Sequence, residues 1–494
     1  MSGDIELEIG AGAQPGSYAV RVIRAVAGGE PVGDLRLDID DMLGRRDVLE
    51  ATVLASAVPR RAVGATELPV RQTGQELFQA LFTGPVYGMY RASLGVAQQR
   101  GERLRVVLRL TAPELAALPW ETLFDPETQT YLCRQEPLVR HVPAPYTADP
   151  LEVRPPLRIL GLVSSPRGLP PLDVEAEKRQ LAQALALPIA EGLVEITWVA
   201  AATWGAVQAQ LLAGEWHVLH FVGHGDFDRE AGEGLIALTG PDGQVDLVEA
   251  GRLADLLREA QPAPRLVMLN SCASGQTGAQ DIFSGTAATL VRSGINAVAA
   301  MQFAISDNAA IAFATGFYTA VAHGRSVDEA ARSGRIAILG TPHSMEWVTP
   351  VLYVRGQATR LFTMTGPPAP RPVPDPAAAM QPAPDPYLPP PSYQQPPSYQ
   401  QQPYPPPPYQ PRAPSPTSER ARRAWAGLRQ FYDDARPAPR SAGDHSDRRG
   451  QAPARGPNWV RTEERFRDPG TGKIMRVWID PADQSRHYLP EDER

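Results

Sequence analysis

A chain of 494 residues, 43% of them apolar, has room for two or three domains and a sizeable core in at least one. Its net charge of -7 gives no global sign of nucleic-acid binding, and two cysteines, Cys133 and Cys272, are too few for a disulfide-stapled secreted fold. No window approaches about 18 uninterrupted apolar residues, and the opening MSGDIELEIGAGAQPG lacks the basic and apolar regions of a secretion signal. A soluble, cytoplasmic protein without a membrane span is expected. The basic residues are almost all Arg, with Lys178 and Lys473 the only lysines, as codon bias in a GC-rich genome produces.

Short apolar runs at Ile5–Ile9, Tyr18–Ala25 and Leu35–Ile39, broken by Gly and Pro, predict a small β-rich opening over residues 1–68 with little helix signal. Amphipathic helices are expected at Gln75–Phe82 and Val86–Gln98, and a strand at Leu104–Leu110. In the stretch TAPELAALPWE, Leu115, Leu118 and Trp120 read as core; Glu121 is a weaker functional candidate. Cys133, in YLCRQ without a neighbouring base, reads as a buried structural thiol.

From residue 157 strands and helices alternate: strand Leu157–Ser164, helix Val174–Leu187, strand Leu193–Ala200, helix Trp204–Leu212. Then come the strand of WHVLHFVGHG (Trp216–Gly225), a hairpin-like segment and a helix, and the strand of RLVMLNSCASG (Arg265–Gly275). A helix at Asp281–Arg292, a strand at Ile295–Phe303, helices at Asp307–Ala322 and Ser326–Leu339 and a strand at Trp347–Val354 complete the series. This spacing predicts an α/β fold, a mostly parallel sheet with helices on both faces.

At Gly366 the composition changes. Between Gly366 and Pro416 lie 22 of the 52 prolines, interleaved with Tyr and Gln, so residues 361–456 read as an extended linker without a core of its own, and as a ligand for an aromatic groove in the less favoured reading. Within it, Ala421, Trp425, Leu428 and Tyr432 share one face of a candidate helix over 417–434. Residues 457–490 read as a small β-hairpin module with turns at Asp468–Gly472 and Asp480–Asp483 around Ile474–Ile479. Its aromatic faces resemble modules that bind Pro-rich peptides, without the WW spacing.

Two parallel strands joined by a crossover deliver His224 and Cys272 to the same carboxyl-end edge of one sheet, where open α/β sheets place their sites. Either residue alone is more often structural. Together they suggest covalent chemistry: the thiolate attacks, and the imidazole takes its proton and returns it to the leaving amine. The backbone N–H groups of Gly225 and Cys272 are the candidate oxyanion donors. A metal site from His217, His220 and His224 is disfavoured because alternation puts His217 on the opposite face and no acidic or Cys ligand accompanies them. No cofactor and no metal are expected, and no phosphate-cradling GK[ST] loop is present.

HFVGHGDFD (His220–Asp228), LNSCASG (Leu269–Gly275), the block Met301–Ala330 and LPWE (Leu118–Glu121) together resemble the CHAT family, caspase-like cysteine peptidases related to separase. The resemblance spans roughly residues 70–356 and departs from the caspase signature QACRG; a His about 50 residues before the Cys matches the caspase spacing. It implies peptide-bond cleavage by Cys272 and His224, and a caspase-hemoglobinase-like active half over 157–360 preceded by a pseudo-protease half over 69–156. It further implies a specificity pocket lined by Asn270, with Asp307 a candidate and Asp226 a weaker one. If Asp307 lines it, Arg or Lys is preferred before the scissile bond; as a helix N-cap, Asp307 has an equally good structural explanation. Phe303 stands where the family often has Trp. The resemblance also suggests a regulated endopeptidase of a bacterial defence or signalling system, with a protein or peptide substrate and an activating protein partner. The competing expectation is a catalytically silent caspase-like scaffold that works through its linker and C-terminal module.

Overall fold

The computed structural model describes residues 3–14, 16–57, 67–145, 148–228, 233–270, 282–341 and 344–366, and the strands within 460–490. In chain order the strands are β1 (Gly3–Ala11), β2 (Ser17–Ala25), β3 (Val32–Arg36), β4 (Leu104–Leu110), β5 (Phe124–Asp125), β6 (Thr130–Tyr131), β7 (Leu138–Val142) and β8 (Leu151–Val153). They continue with β9 (Leu157–Val163), β10 (Val194–Trp198), β11 (Val218–Val222), β12 (Gly225–Asp228), β13 (Glu233–Thr239), β14 (Val245–Glu249), β15 (Leu266–Asn270), β16 (Ala297–Met301), β17 (Pro350–Arg355) and β18 (Phe362–Met364). The helices are α1 (Ile39–Gly44), α2 (Arg46–Ser56), α3 (Leu68–Leu81), α4 (Gly84–Gln99), α5 (Leu132–Gln135), α6 (Val174–Ala184) and α7 (Ala186–Ala190). The rest are α8 (Trp204–Ala213), α9 (Ala250–Leu257), α10 (Ile282–Arg292), α11 (Asp307–Ala322) and α12 (Val327–Ile338).

Eleven strands form one sheet in the order β10-β9-β11-β15-β16-β17-β7-β4-β1-β2-β3. The five strands from β10 to β16 are parallel. β17 runs against β16, and β7, β4 and β1 run parallel to β17 before β2 and β3 close the edge as antiparallel strands. The opening region is therefore not a separate module: β1 is hydrogen-bonded to β4 along its length, from Gly3↔Leu104 to Ile9↔Leu110. The boundary expected at residue 68 runs through a continuous sheet, and α1 and α2, for which the sequence carried little signal, cover part of it.

Two apolar layers hold the sheet. On one face Val218, Leu266 and Met268 pack with Phe313, Phe317 and Tyr318 of α11, in a cluster that continues through Ile5, Leu7 and Val106 to Leu49 and Val53 of α2 and Leu77 of α3. On the other, Leu219, Phe221, Val267 and Leu269 pack with Val207 of α8, Leu253 of α9 and Leu290 of α10. β11 and β15 are buried along their whole lengths, which is why they read as unbroken apolar runs rather than alternating ones. Each large side chain buried in this way contributes roughly 1.5–3 kcal/mol, and truncating Phe317 in the centre would cost about 3–5 kcal/mol.

Side chains cap the starts of three helices on the carboxyl half of the sheet. Asp173 accepts from the Ala176 amide at the start of α6 (2.9 Å), Thr203 from Ala206 at α8 (3.3 Å) and Ser306 from Ala309 at α11 (3.4 Å). Leu115, Leu118 and Trp120 are fully buried, as the sequence reading expected. Cys133 is buried too, its Sγ donating to the Glu121 carbonyl (3.0 Å).

The strands β19 (Val460–Arg467), β20 (Ile474–Ile479) and β21 (Arg486–Pro490) form an antiparallel three-stranded sheet in a second unit of the chain, Pro408–Arg494. The linker expected from residue 361 starts later than that: Phe362–Met364 form β18, parallel to β8, and Leu361 and Phe362 are buried in the core. The rest of the expected linker from residue 367, the helix over 417–434 and both turns of the last module lie outside the described residues. Among the described residues no helix is long and apolar enough to cross a membrane.

Candidate active site

β11 and β15 are adjacent and parallel, in register from Val218↔Leu266 to Val222↔Asn270. At their carboxyl ends the Gly223 amide donates to the Asn270 carbonyl (3.2 Å), and the Ser164 amide, at the end of β9, donates to the Val222 carbonyl (2.8 Å). Three neighbouring strands thus finish together. Gly223 is required by close packing: a Cβ there would lie 2.5 Å from the Phe221 ring.

His224 follows, half-buried, and is held from two sides. Its carbonyl accepts from the Ala237 amide of β13 (3.0 Å). Its Nε2 lies 2.8 Å from the Pro170 carbonyl oxygen. A carbonyl only accepts, so Nε2 carries the hydrogen and Nδ1 keeps the lone pair in the neutral ring. Burial lowers the pKa of His224 from the ordinary 6.5, with the Pro170 hydrogen bond pulling the other way. The ring is accordingly a neutral base at neutral pH, with Nδ1 the atom free to take a proton.

Pro170 belongs to the loop between β9 and α6, and that loop is fastened. The Leu172 amide donates to Ser165 Oγ (2.9 Å), Leu172 packs on Val163 and Val222, and the Arg167 amide donates to the Gly243 carbonyl in the β13–β14 turn (2.9 Å). Sequence reading missed Pro170, because the functional group is a main-chain carbonyl that every residue carries.

Gly225 and Asp226 lead from His224 into β12, where Gly225 pairs with Ile236 and Asp226 with Leu235. This hairpin packs on α10: a Cβ on Gly234 would lie 2.1 Å from Thr286 Oγ1. Asn270 is buried at 4% exposure, and its Oδ1 has no hydrogen-bond partner among the described residues. Asp307 is half-exposed in the first turn of α11. The N-cap there is Ser306, so the cap role weighed for Asp307 falls to its neighbour. Cys272 lies outside the described residues; the chain leaves the described part at Asn270, beside Gly223, and re-enters at α10, which packs against β12 and β13.

His217 and His220 serve structure. His217 Nδ1 accepts from the Arg158 amide (2.9 Å), and His220 Nδ1 lies 2.8 Å from the Tyr318 hydroxyl. Burial brings both down to about 4, so both rings are neutral. Glu121 is fully buried and ion-paired with Arg140 (2.6 Å), and it accepts from Gln302 Nε2 (3.0 Å).

A mostly parallel sheet flanked by helices is the α/β architecture that the sequence predicts. The CHAT domain family model matches residues 71–425, and the chain belongs to this family. Two solved structures of the Saccharomyces cerevisiae separase–securin complex are similar to it at 9% identity each, with TM-scores of 0.42 and 0.39. They cover 72% and 73% of this chain, which spans 30% of theirs. No curated protein matches the chain in sequence.

Proposed function

We propose that the chain is a cysteine endopeptidase in which His224 and Cys272 form the catalytic dyad. The observation that carries this reading is the Nε2–H tautomer imposed on His224 by Pro170, which leaves Nδ1 as a base at the end of β11. Position 272 follows Asn270 by as many residues as His224 follows Val222, and Val222 and Asn270 are register partners. Both described ends of the segment bearing Cys272 adjoin the elements bearing His224.

In the proposed reaction the thiol proton passes to Nδ1 of His224 as sulfur bonds to the scissile carbonyl carbon. The resulting oxyanion accepts from the N–H groups of Gly225 and Cys272. Collapse breaks the C–N bond, the imidazolium returns its proton to the departing amine, and an acyl thioester remains. Water, deprotonated by the same ring, attacks the thioester and releases the acid and the free thiol. Asn270 faces the substrate: a buried acceptor left unpaired costs about 1–3 kcal/mol, a cost that a substrate N–H offsets on binding. Asp307 lines the pocket and selects Arg or Lys before the scissile bond, with Asp226 the weaker candidate. The substrate is a protein, and activation by a protein partner, within a bacterial defence or signalling system, is part of the same reading.

The test compares new protein N-termini in a proteome exposed to wild-type chain or to Cys272→Ala. Cleavages that depend on Cys272 and follow Arg or Lys support the assignment. Wild-type cleavage surviving in Cys272→Ala overturns it.

A further inference from the structure

We infer that Arg46 and Glu50, on one face of α2, are positioning residues for the segment Gln302–Ser306, which leaves β16 at the same sheet edge as His224 and walls the substrate cleft beside Asn270. The inference rests on the proteolytic reading and adds to it a task for the opening region of the chain. Leu269↔Ala300 pairing sets the end of β16 directly beside the end of β15, so this segment is the next one along the edge after the strand that leads to Cys272.

The segment belongs to no strand or helix, yet side chains grip it at almost every residue. Arg46 donates to the Gln302 carbonyl, and its guanidinium lies over the Phe303 ring, 5.1 Å from the centroid. Glu50 accepts from the Ala304 amide (3.1 Å). Glu346, itself buried, accepts from the Ser306 amide (2.6 Å) and hydroxyl (3.0 Å). The Gln302 side chain donates to Glu121 (3.0 Å) and to the Val348 carbonyl (2.7 Å).

Arg46 and Glu50 come from more than 250 residues earlier in the chain and stand one helical turn apart, so both reach the same backbone. Apolar packing alone would bury this segment without orienting its peptide groups. Charged groups aimed at one carbonyl and one amide fix their direction as well. Asp307 follows immediately, so holding Ala304 and Ser306 sets where its carboxylate points. The grip is thus on the wall that reads the substrate and spares the sulfur–imidazole pair.

The experiment uses the full chain as wild type, Glu50→Ala, Glu50→Gln and Arg46→Lys. Two things are measured: amide hydrogen exchange of the peptide spanning 301–308, and alkylation of Cys272 by iodoacetamide and by a panel of peptidyl chloromethyl ketones, read with the panel member that labels wild type fastest. In Glu50→Ala, exchange at Ala304 should rise about tenfold or more, because its acceptor is gone. Labelling by the peptidyl reagent should fall about tenfold while labelling by iodoacetamide, which needs no pocket, stays within about twofold. Glu50→Gln keeps an acceptor oxygen and should stay near wild type, and Arg46→Lys should fall between. Unchanged exchange in Glu50→Ala, or equal loss of both labelling rates, overturns the inference. Iodoacetamide labelling of Cys272 that ignores His224→Asn overturns the proteolytic reading instead, and the exchange comparison still decides the anchoring.

Discussion

Val222 and Asn270 face each other as the last registered pair of two adjacent parallel strands, and the candidate base and the candidate nucleophile each follow two residues later in sequence. If they act as one unit, replacing either should remove most activity. Cys272→Ala and His224→Asn are each expected to lower kcat/KM by about a thousandfold or more, and the double variant by little further. Additive losses in a peptide-cleavage assay would speak against a shared proton.

The pH dependence follows from the tautomer and the environment of His224. Burial lowers its pKa from 6.5, and the group acts as a base only when neutral. Activity should therefore persist as pH falls to 6.5 and decline at lower pH, as the ring charges. An acid limb of kcat/KM centred above 6.5 would show that His224 is not the group titrating.

Glu121 and Arg140 form a buried ion pair, and removing one partner leaves the other charge buried. Glu121→Ala should destabilise the chain by about 3–5 kcal/mol, whereas the double change Glu121→Leu with Arg140→Met should cost clearly less. Urea unfolding of the three chains checks this. Equal losses in the single and double variants would mean that the pair acts through packing alone.

Stability should also fall with acid because of His217 and His220. Both are brought to about 4 in the folded chain, against 6.5 when free. Between those values the unfolded chain binds more protons than the folded one. Stability is therefore greatest above 6.5, drops as pH falls towards 4, and each histidine contributes at most about 1.4 kcal/mol per pH unit. His220→Asn should flatten the slope of the urea midpoint between pH 6.5 and 4. An unchanged slope would remove His220 from the account.

The two cysteines should differ in reactivity. Burial pushes the Cys133 thiol up to about 11, and its Sγ is tied to the Glu121 carbonyl. At pH 7.5 iodoacetamide should label Cys272 in the native chain and reach Cys133 only on unfolding. Native labelling of Cys133 ahead of Cys272 would reverse the assignment of structural and nucleophilic thiols.

The alternation from Leu157 to Val354 was legible in sequence because each buried strand is a short apolar run and each helix repeats its apolar residues every three to four positions. The same reading failed at α1 and α2. Both are short, and α2 turns Arg46 and Glu50 inward beside Leu49 and Val53, so its contacting face does not read as apolar. It failed at Pro170 because a carbonyl has no side-chain signature. It misplaced the cap at α11 because Ser306 and Asp307 are both good caps, and only the hydrogen bond to Ala309 separates them.

By itself, the order of amino acids determined the fold class, the order of strands and helices from Leu157 to Val354, and the nomination of His224 and Cys272, because periodicity and local chemistry are written in neighbouring residues. Only the tertiary structure decided that the opening strands extend the same sheet, that Nδ1 is the nitrogen of His224 left to accept a proton, and that Arg46 and Glu50 hold the segment after β16. Each of these depends on groups that lie far apart in the chain and meet only when the sheet closes, so no local pattern could carry them.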